Sequence, residues 1–205
     1  MMGTEGGFAM SAVLAPPPLM TAEEFMERYG GASGIELVKG RVVVAGGRLE
    51  VLSREEGMPN FRHGVICRKA ARLLEDFVLP RGLGWIAAND TFVKVGEETV
   101  RGADVLFVSY FRVPRGDGMP PESLDVPPEL VIEVRSPSDR ISAISSKAAE
   151  YLASGVGVVV VLDPASKSAT VFQDDEYPIT LRTNEKLAIP NVLPGFEVEV
   201  AKFFE

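Results

Sequence analysis

Apolar residues recur at three- and four-residue intervals between His63 and Leu79, where Ile66, Ala70, Leu73, Leu74 and Phe77 are interleaved with Arg68, Lys69, Arg72, Glu75 and Asp76. That period predicts an amphipathic helix with one buried face, and PRGLG (residues 80–84) stops it. A shorter helix is predicted in TAEEFMERYG (residues 21–30), where Thr21 and Glu24 have capping-box spacing and Gly30 closes the last turn. The pattern changes to period two in GIELVKGRVVVAGG (residues 34–47), which predicts a hairpin turning at Lys39 and Gly40. Three more strands are predicted in GWIAAN, DTFVKV and ADVLFVS (residues 84–89, 90–95 and 103–109), and another in ELVIEV (residues 129–134). A second helix follows within residues 136–155, capped by Ser138 or Asp139 and ended by Gly155. The continuous apolar run GVVVVLD (residues 157–163) reads as a strand covered on both faces. Asp163 and Pro164 turn it into a partner strand, SATVFQ. The polar stretch 48–62 and the Pro- and Gly-rich stretch 112–128 read as loops.

The first twenty residues, with three consecutive prolines, read as a flexible lead, and residues 21–205 as one domain. The order of elements predicts an α/β fold of the α+β kind, a central mixed sheet flanked by helices. That pattern alone fits many activities.

Composition narrows the field. Lysine and arginine number 21 against 29 aspartates and glutamates, a net charge of −8, which counts against nonspecific adhesion to nucleic acid. It leaves open a nucleic-acid enzyme whose acidic cleft is neutralised by bound cations. The single cysteine, Cys67, excludes an intrachain disulfide and any multi-cysteine zinc site, and reads as a small core residue in a reducing compartment. No secretory signal is recognisable at the N-terminus, and the longest apolar run is too short to cross a bilayer. A soluble, cytoplasmic protein is the expectation.

Two carboxylates stand out against the strand pattern. In ELVIEV, Leu130, Ile132 and Val134 share one face while Val131 and Glu133 share the other, which Arg135 continues. An unpaired buried charge is costly, so Glu133 needs a cation: arginine, lysine or metal. Asp104 raises the same question at the start of ADVLFVS, on the face opposite Ala103, Val105 and Phe107. A strand-entry turn residue is the ordinary explanation, but two carboxylates on neighbouring strands are most simply kept ionised by a hard cation such as magnesium. In the second helix Ile141, Ile144, Ala148, Tyr151 and Leu152 fall on one arc, with Arg140 and Lys147 along its border. Lys147 either snorkels to solvent or leans over the strand ends towards Glu133.

ELVKG (residues 36–40), a histidine opening the long helix, PRGLG, ADVLFVS, ELVIEVRSPSD, a lysine in the following helix with YLASGV after it, and VVLDP occur in this order. In this the chain resembles the Uma-two family of putative restriction endonucleases, whose fold is similar to the PD-(D/E)XK nucleases. The resemblance runs from about Thr21 to Phe172. It implies a magnesium-dependent endonuclease, with manganese as a substitute, that hydrolyses DNA phosphodiester bonds. Asp104 matches the aspartate of the motif and Glu133 its acidic residue, with the Val134 carbonyl as a further metal ligand. Arg135 occupies the usual lysine position, and arginine cannot serve as a general base. Lys147 matches a lysine moved to the next helix, Glu36 the family's early glutamate and His63 its histidine. Arg135 and Arg140 are then candidate phosphate contacts, although Arg135 could equally pair with Glu133, and a symmetric homodimer would suit a two-stranded substrate.

Two other readings compete. In one, the chain is a nuclease-like fold that no longer cuts and acts as a binding or regulatory module. In the other, the charges form a structural salt-bridge network, in which removing one partner causes a large loss of stability. The enzyme reading predicts instead that removing Asp104 or Glu133 leaves the fold intact or relieves repulsion.

Overall fold

The computed structural model describes residues 19–30, 34–44, 61–136 and 139–205. Most of the predicted N-terminal lead, most of the loop predicted over 48–62, and Ser138 lie outside the described residues. Helix α1 (Ala22–Tyr29) opens on the predicted capping box: the Thr21 hydroxyl accepts from the Glu24 backbone N–H while the Glu24 carboxylate accepts from that of Thr21. Strands β1 (Ile35–Val38) and β2 (Arg41–Val44) form the hairpin, turned by Lys39 and Gly40, both at positive φ. Helix α2 (Phe61–Val78) starts two residues earlier than the periodicity suggests. A short 3-10 turn over Leu79–Arg81 and left-handed Gly82 then end it.

The next two predicted strands are one. Strand β3 (Gly84–Gly96) runs through Asn89 and Asp90, both at positive φ, as a bulge opposite strand β4 (Thr99–Ser109). The bulge disturbs strict alternation along β4. Ala103 packs with Leu106 and Val108 rather than with Val105 and Phe107 as the sequence pattern implied. After the loop come β5 (Leu130–Val134), helix α3 (Ile141–Ala153) and β6 (Val158–Asp163), a crossover that leaves β5 and β6 parallel. Asp139 does not cap α3: its carboxylate accepts from the Ser136 backbone N–H, and Arg140 holds the cap position without a side-chain bond. Ile141, placed by periodicity on the buried arc, is 72% exposed because it lies in the first turn, before the helix reaches the sheet.

Strand β7 (Ser168–Gln173) pairs antiparallel with β6, and β8 (Ile179–Leu181) with β7. A separate two-stranded sheet, β9 (Lys186–Ala188) with β10 (Glu197–Glu199), and a closing 3-10 turn complete the chain. The main sheet is ordered β2-β1-β4-β5-β6-β7-β8, with β3 on the other side of β4. Helix α2 covers one face through Ile66, Ala70, Leu74 and Val78, packed with Leu130, Ile132 and Val134. The other face, with Val131, Val159 and Val161, receives Ala148 and Tyr151 of α3. The mixed sheet with helices on its faces is therefore as the element order predicted.

One topological detail positions everything that follows. Strand β3 pairs along β4 from Thr99 to Ser109, so β1 and β5 must share the opposite edge of β4. They meet it at different ends, β1 at Val100 and β5 at Val105 to Phe107. Between them, at Arg101 to Asp104, that edge has no strand partner among the described residues.

Candidate active site

Backbone groups beside this gap still need partners, and carboxylates supply them. Glu36 on β1, only 4% exposed, accepts from the Gly102 backbone N–H at 3.2 Å. Asp104 on β4 accepts from the Val134 backbone N–H of β5 at 2.6 Å through Oδ2, and its Oδ1 lies 3.0 Å from His63 Nε2 on α2. The ladder is interrupted, and side chains bridge it. A Cβ on Gly102 would lie 3.2 Å from that of Asp90, close enough that the bulge would have to shift by a few tenths of an ångström.

Lys147 reaches into the same place from α3. Its ammonium has three donors, and three acceptors surround it: the Gly102 carbonyl at 2.9 Å, Glu133 Oε2 at 2.9 Å and Glu36 Oε1 at 3.0 Å. Lys147 thus does not snorkel to solvent. One turn further along α3, the Tyr151 hydroxyl lies 2.9 Å from Glu133 Oε1 and 3.2 Å from the Gly102 carbonyl. The far side of Glu36 is held by Arg101 at 2.8 Å, and Arg101 also binds Glu150 through two nitrogens, at 2.7 and 2.8 Å.

These contacts divide the acids into two kinds. Burial pushes the Glu36 carboxyl up, but Lys147 and Arg101 outweigh it and hold the group below the usual carboxylate range. Burial acts on Glu133, opposed chiefly by Lys147 and with Asp104 adding repulsion, and its pKa is pushed up to about 8. Lys147 is held protonated, well above its ordinary value: burial works against it, but Glu133 and Glu36 prevail. The hydrogen bond to Asp104 raises His63 despite its burial. At neutral pH the cluster therefore sets Lys147 and Arg101 as cations beside an ionised Glu36, and of the two glutamates Glu133 is the one that holds a proton more readily.

The remaining predicted residues separate from this core. Arg135 pairs with Asp163 Oδ2 at 2.8 Å, not with Glu133, and donates to the Asp139 carbonyl at 3.2 Å; its buried Nε has no hydrogen-bond partner among the described residues. Arg140 is exposed at the start of α3. Cys67 packs partly against the core, as expected, but it also stands one turn after His63 and close to Asp104. Tyr151, Arg101 and Glu150 went unrecognised in the sequence. Tyr151 looked like an arc-filling aromatic, and only its position four residues after Lys147 links it to the charged group. Arg101 lies outside the apolar part of its strand, where it resembles a solvent-facing residue.

The geometry also revises one expectation. Asp104 closes a break in the sheet, so removing its side chain orphans the Val134 N–H instead of merely relieving repulsion. Chemically, the site combines two oxygen-donor carboxylates on adjacent strands, an ammonium in contact with one of them, and an imidazole in contact with the other. Carboxylate oxygens suit a hard divalent cation, and each ionised carboxylate has about four lone-pair sites, of which the contacts above use only part.

No curated protein matches the chain. Among solved structures, a crystal structure of a putative nuclease belonging to DUF820 from Anabaena variabilis ATCC 29413 is similar, with a TM-score of 0.75 and 16% identity over 90% of this chain and 97% of that one. At that identity the likeness concerns the fold alone. A family model described as "Putative restriction endonuclease" matches residues 22–201, nearly the whole length of the chain, and the chain belongs to this family, Uma2.

Proposed function

We propose that this protein is a divalent-metal-dependent endonuclease that hydrolyses DNA phosphodiester bonds, with residues 21–205 working as one domain inside the cell. The convergence of Asp104, Glu133 and Lys147 from β4, β5 and α3 at the break in the sheet carries the reading. Asp104 and Glu133 would hold magnesium, or manganese in its place, with the Val134 carbonyl as a third oxygen. The all-oxygen donor set fits a hard ion, and so does a Glu133 that keeps its proton near neutrality until a cation replaces it. Bound there, the ion would supply Lewis-acid stabilisation of the phosphoryl group and acidify water.

The protein's own groups have separable tasks. Lys147 is too firmly protonated to act as a general base, and as an ammonium it offsets negative charge building on the phosphoryl oxygens. Glu36 fixes Lys147 in place. His63, whose pKa the hydrogen bond to Asp104 raises, is placed to donate a hydrogen bond or a proton. Arg140 is exposed and suited to a backbone phosphate, whereas Arg135 must first leave Asp163 to turn its guanidinium to one. A symmetric homodimer would present one site to each strand of a duplex.

A specific observation favours a second reading. The charges already neutralise one another through Lys147, Glu36, Arg101 and Glu150, as in a structural network within an inactive binding module. Cleavage assays on plasmid, single-stranded and branched DNA, and on RNA, with magnesium or manganese and Asp104→Asn as the control, distinguish the two. Metal-dependent cutting lost in the variant supports the nuclease. Stable protein that binds but never cuts supports the module.

A further inference from the structure

We propose that His63, Cys67 and Asp104 form a second metal site, one that takes a thiophilic divalent ion such as zinc. His63 and Cys67 are four residues apart on α2, so they share one face of the helix. That face lies over β4 where Asp104 projects from the break in the sheet. One ligand atom from each residue, the imidazole nitrogen, the thiol sulfur and a carboxylate oxygen, lies within 4.8 Å of the other two. Three such atoms, drawn together by a small adjustment of side chains, make the nitrogen, sulfur and oxygen set of a three-ligand zinc centre with one position left open.

Two features suit the ligands to this task. Asp104 is already oriented, since its Oδ2 is fixed by the Val134 N–H and its Oδ1 points at His63. The thiol separates this site in chemistry from the neighbouring pair, Asp104 and Glu133, because a thiolate selects soft and borderline ions while carboxylates alone select hard ones. Binding is a proton exchange: the ion takes the place of the thiol proton and of the proton held between His63 and Asp104, and releases them to solvent. Because Asp104 belongs to both donor sets, a zinc ion on Cys67 would deny it to magnesium. That last consequence rests on the nuclease reading, but the binding itself does not.

Cobalt(II) is the probe, added to the purified full-length protein under reducing conditions. A thiolate-to-cobalt charge-transfer band in the near ultraviolet, with visible bands of tetrahedral intensity, is expected at one ion per chain. Zinc should displace both. Cys67→Ser should abolish the charge-transfer band. His63→Ala and Asp104→Asn should each weaken binding by more than the roughly 10–100-fold typical of losing a supporting outer partner, while Glu133→Gln should leave it intact. No charge-transfer band in the unmodified protein overturns the site. So does a band insensitive to both His63→Ala and Asp104→Asn, which marks simple attachment to a thiol. In the cleavage assay zinc should inhibit the unmodified protein but spare Cys67→Ser. If no cleavage is seen at all, the nuclease reading fails while the cobalt spectra still decide this one.

Discussion

Replacing Lys147 by methionine tests the charge assignment of the buried cluster. Methionine keeps the stem of the side chain but removes the ammonium that serves Glu36, Glu133 and the Gly102 carbonyl. Glu133 carries a proton near neutrality and keeps Tyr151 as a partner, so it suffers little. Glu36 does not, because it is held ionised and must then share Arg101 with Glu150. Losing one partner from a buried ion pair costs about 3–5 kcal/mol. At roughly 2–4 °C per kcal/mol for a chain of this size, the melting temperature should fall by about 6–20 °C. Glu36→Gln should cost less, about 1–3 kcal/mol, because Lys147 keeps its contacts with Glu133 and the Gly102 carbonyl. Combining the two substitutions removes one charge of each sign, so the double variant should be more stable than the sum of the singles predicts. Thermal melts and urea titrations at pH 7, in the presence of a chelator, measure all three. A Lys147→Met variant that melts within about 2 °C of the parent refutes the reasoning, and so does a Glu36→Gln variant that is the worse of the two.

Four more outcomes follow from the same geometry. Glu133 releases its proton at about 8 in the folded chain against 4.5 in the unfolded one. The native state therefore holds the extra proton between those values, and stability falls as pH rises through that window, by on the order of 3 kcal/mol at pH 7. Urea unfolding at pH 5 and pH 7 should show a larger decline in the chelated parent than in Glu133→Gln, where only the smaller contribution of His63 remains; equal declines would sink the assignment. Tyr151→Phe removes the hydroxyl that orients Glu133, and it should lower magnesium affinity or activity about 10–100-fold while costing only about 1 kcal/mol of stability; calorimetric titration and melts compare the two. Asp104→Ala should be less stable than Asp104→Asn by about 1–3 kcal/mol, because only asparagine retains an acceptor for the Val134 N–H; equal melting points would show that the bond is dispensable. Magnesium at a hundred times its dissociation constant should stabilise the parent by about 2.7 kcal/mol and leave Asp104→Asn unmoved, as thermal shift can show.

Those parts of the fold carried by periodic burial were legible in the sequence. The α2 positions Ile66, Ala70 and Leu74 and the alternation in β5 appear as read because each follows from one element facing one apolar layer. The errors sit where local rules were overruled. Asn89 and Asp90 look like a turn between two strands, and they do take positive φ, but pairing to β4 on both sides carries the strand straight through them. Ile141 has the right phase for burial yet lies beyond the reach of the sheet. The elements after Gln173 had no strong period to announce them, since β8, β9 and β10 are three residues each. The site was legible as a list of charges, Asp104, Glu133 and Lys147. Their partners were not, because Tyr151, Arg101 and Glu150 reach the cluster through a crossover helix and a sheet edge that no local pattern encodes.

The break on β4 explains why fold and chemistry cannot be separated here. A continuous strand beside Arg101 to Asp104 would satisfy the backbone with backbone, and the carboxylates would have no structural reason to be buried. Because β1 and β5 meet β4 at opposite ends, the N–H groups of Gly102 and Val134 turn to Glu36 and Asp104 instead. Burying those acids then calls for cations, which Lys147, Arg101 and His63 provide. Glu133 is left over. Burial pushes its pKa up, it shares Lys147 with a stronger competitor, and it is repelled by Asp104. Such a group gains more from an added positive charge than from any further protein contact available to it. The salt-bridge network and the proposed metal site are therefore not rivals: the network neutralises Glu36 and leaves Glu133, the acid that a cation would have to ionise, only partly compensated.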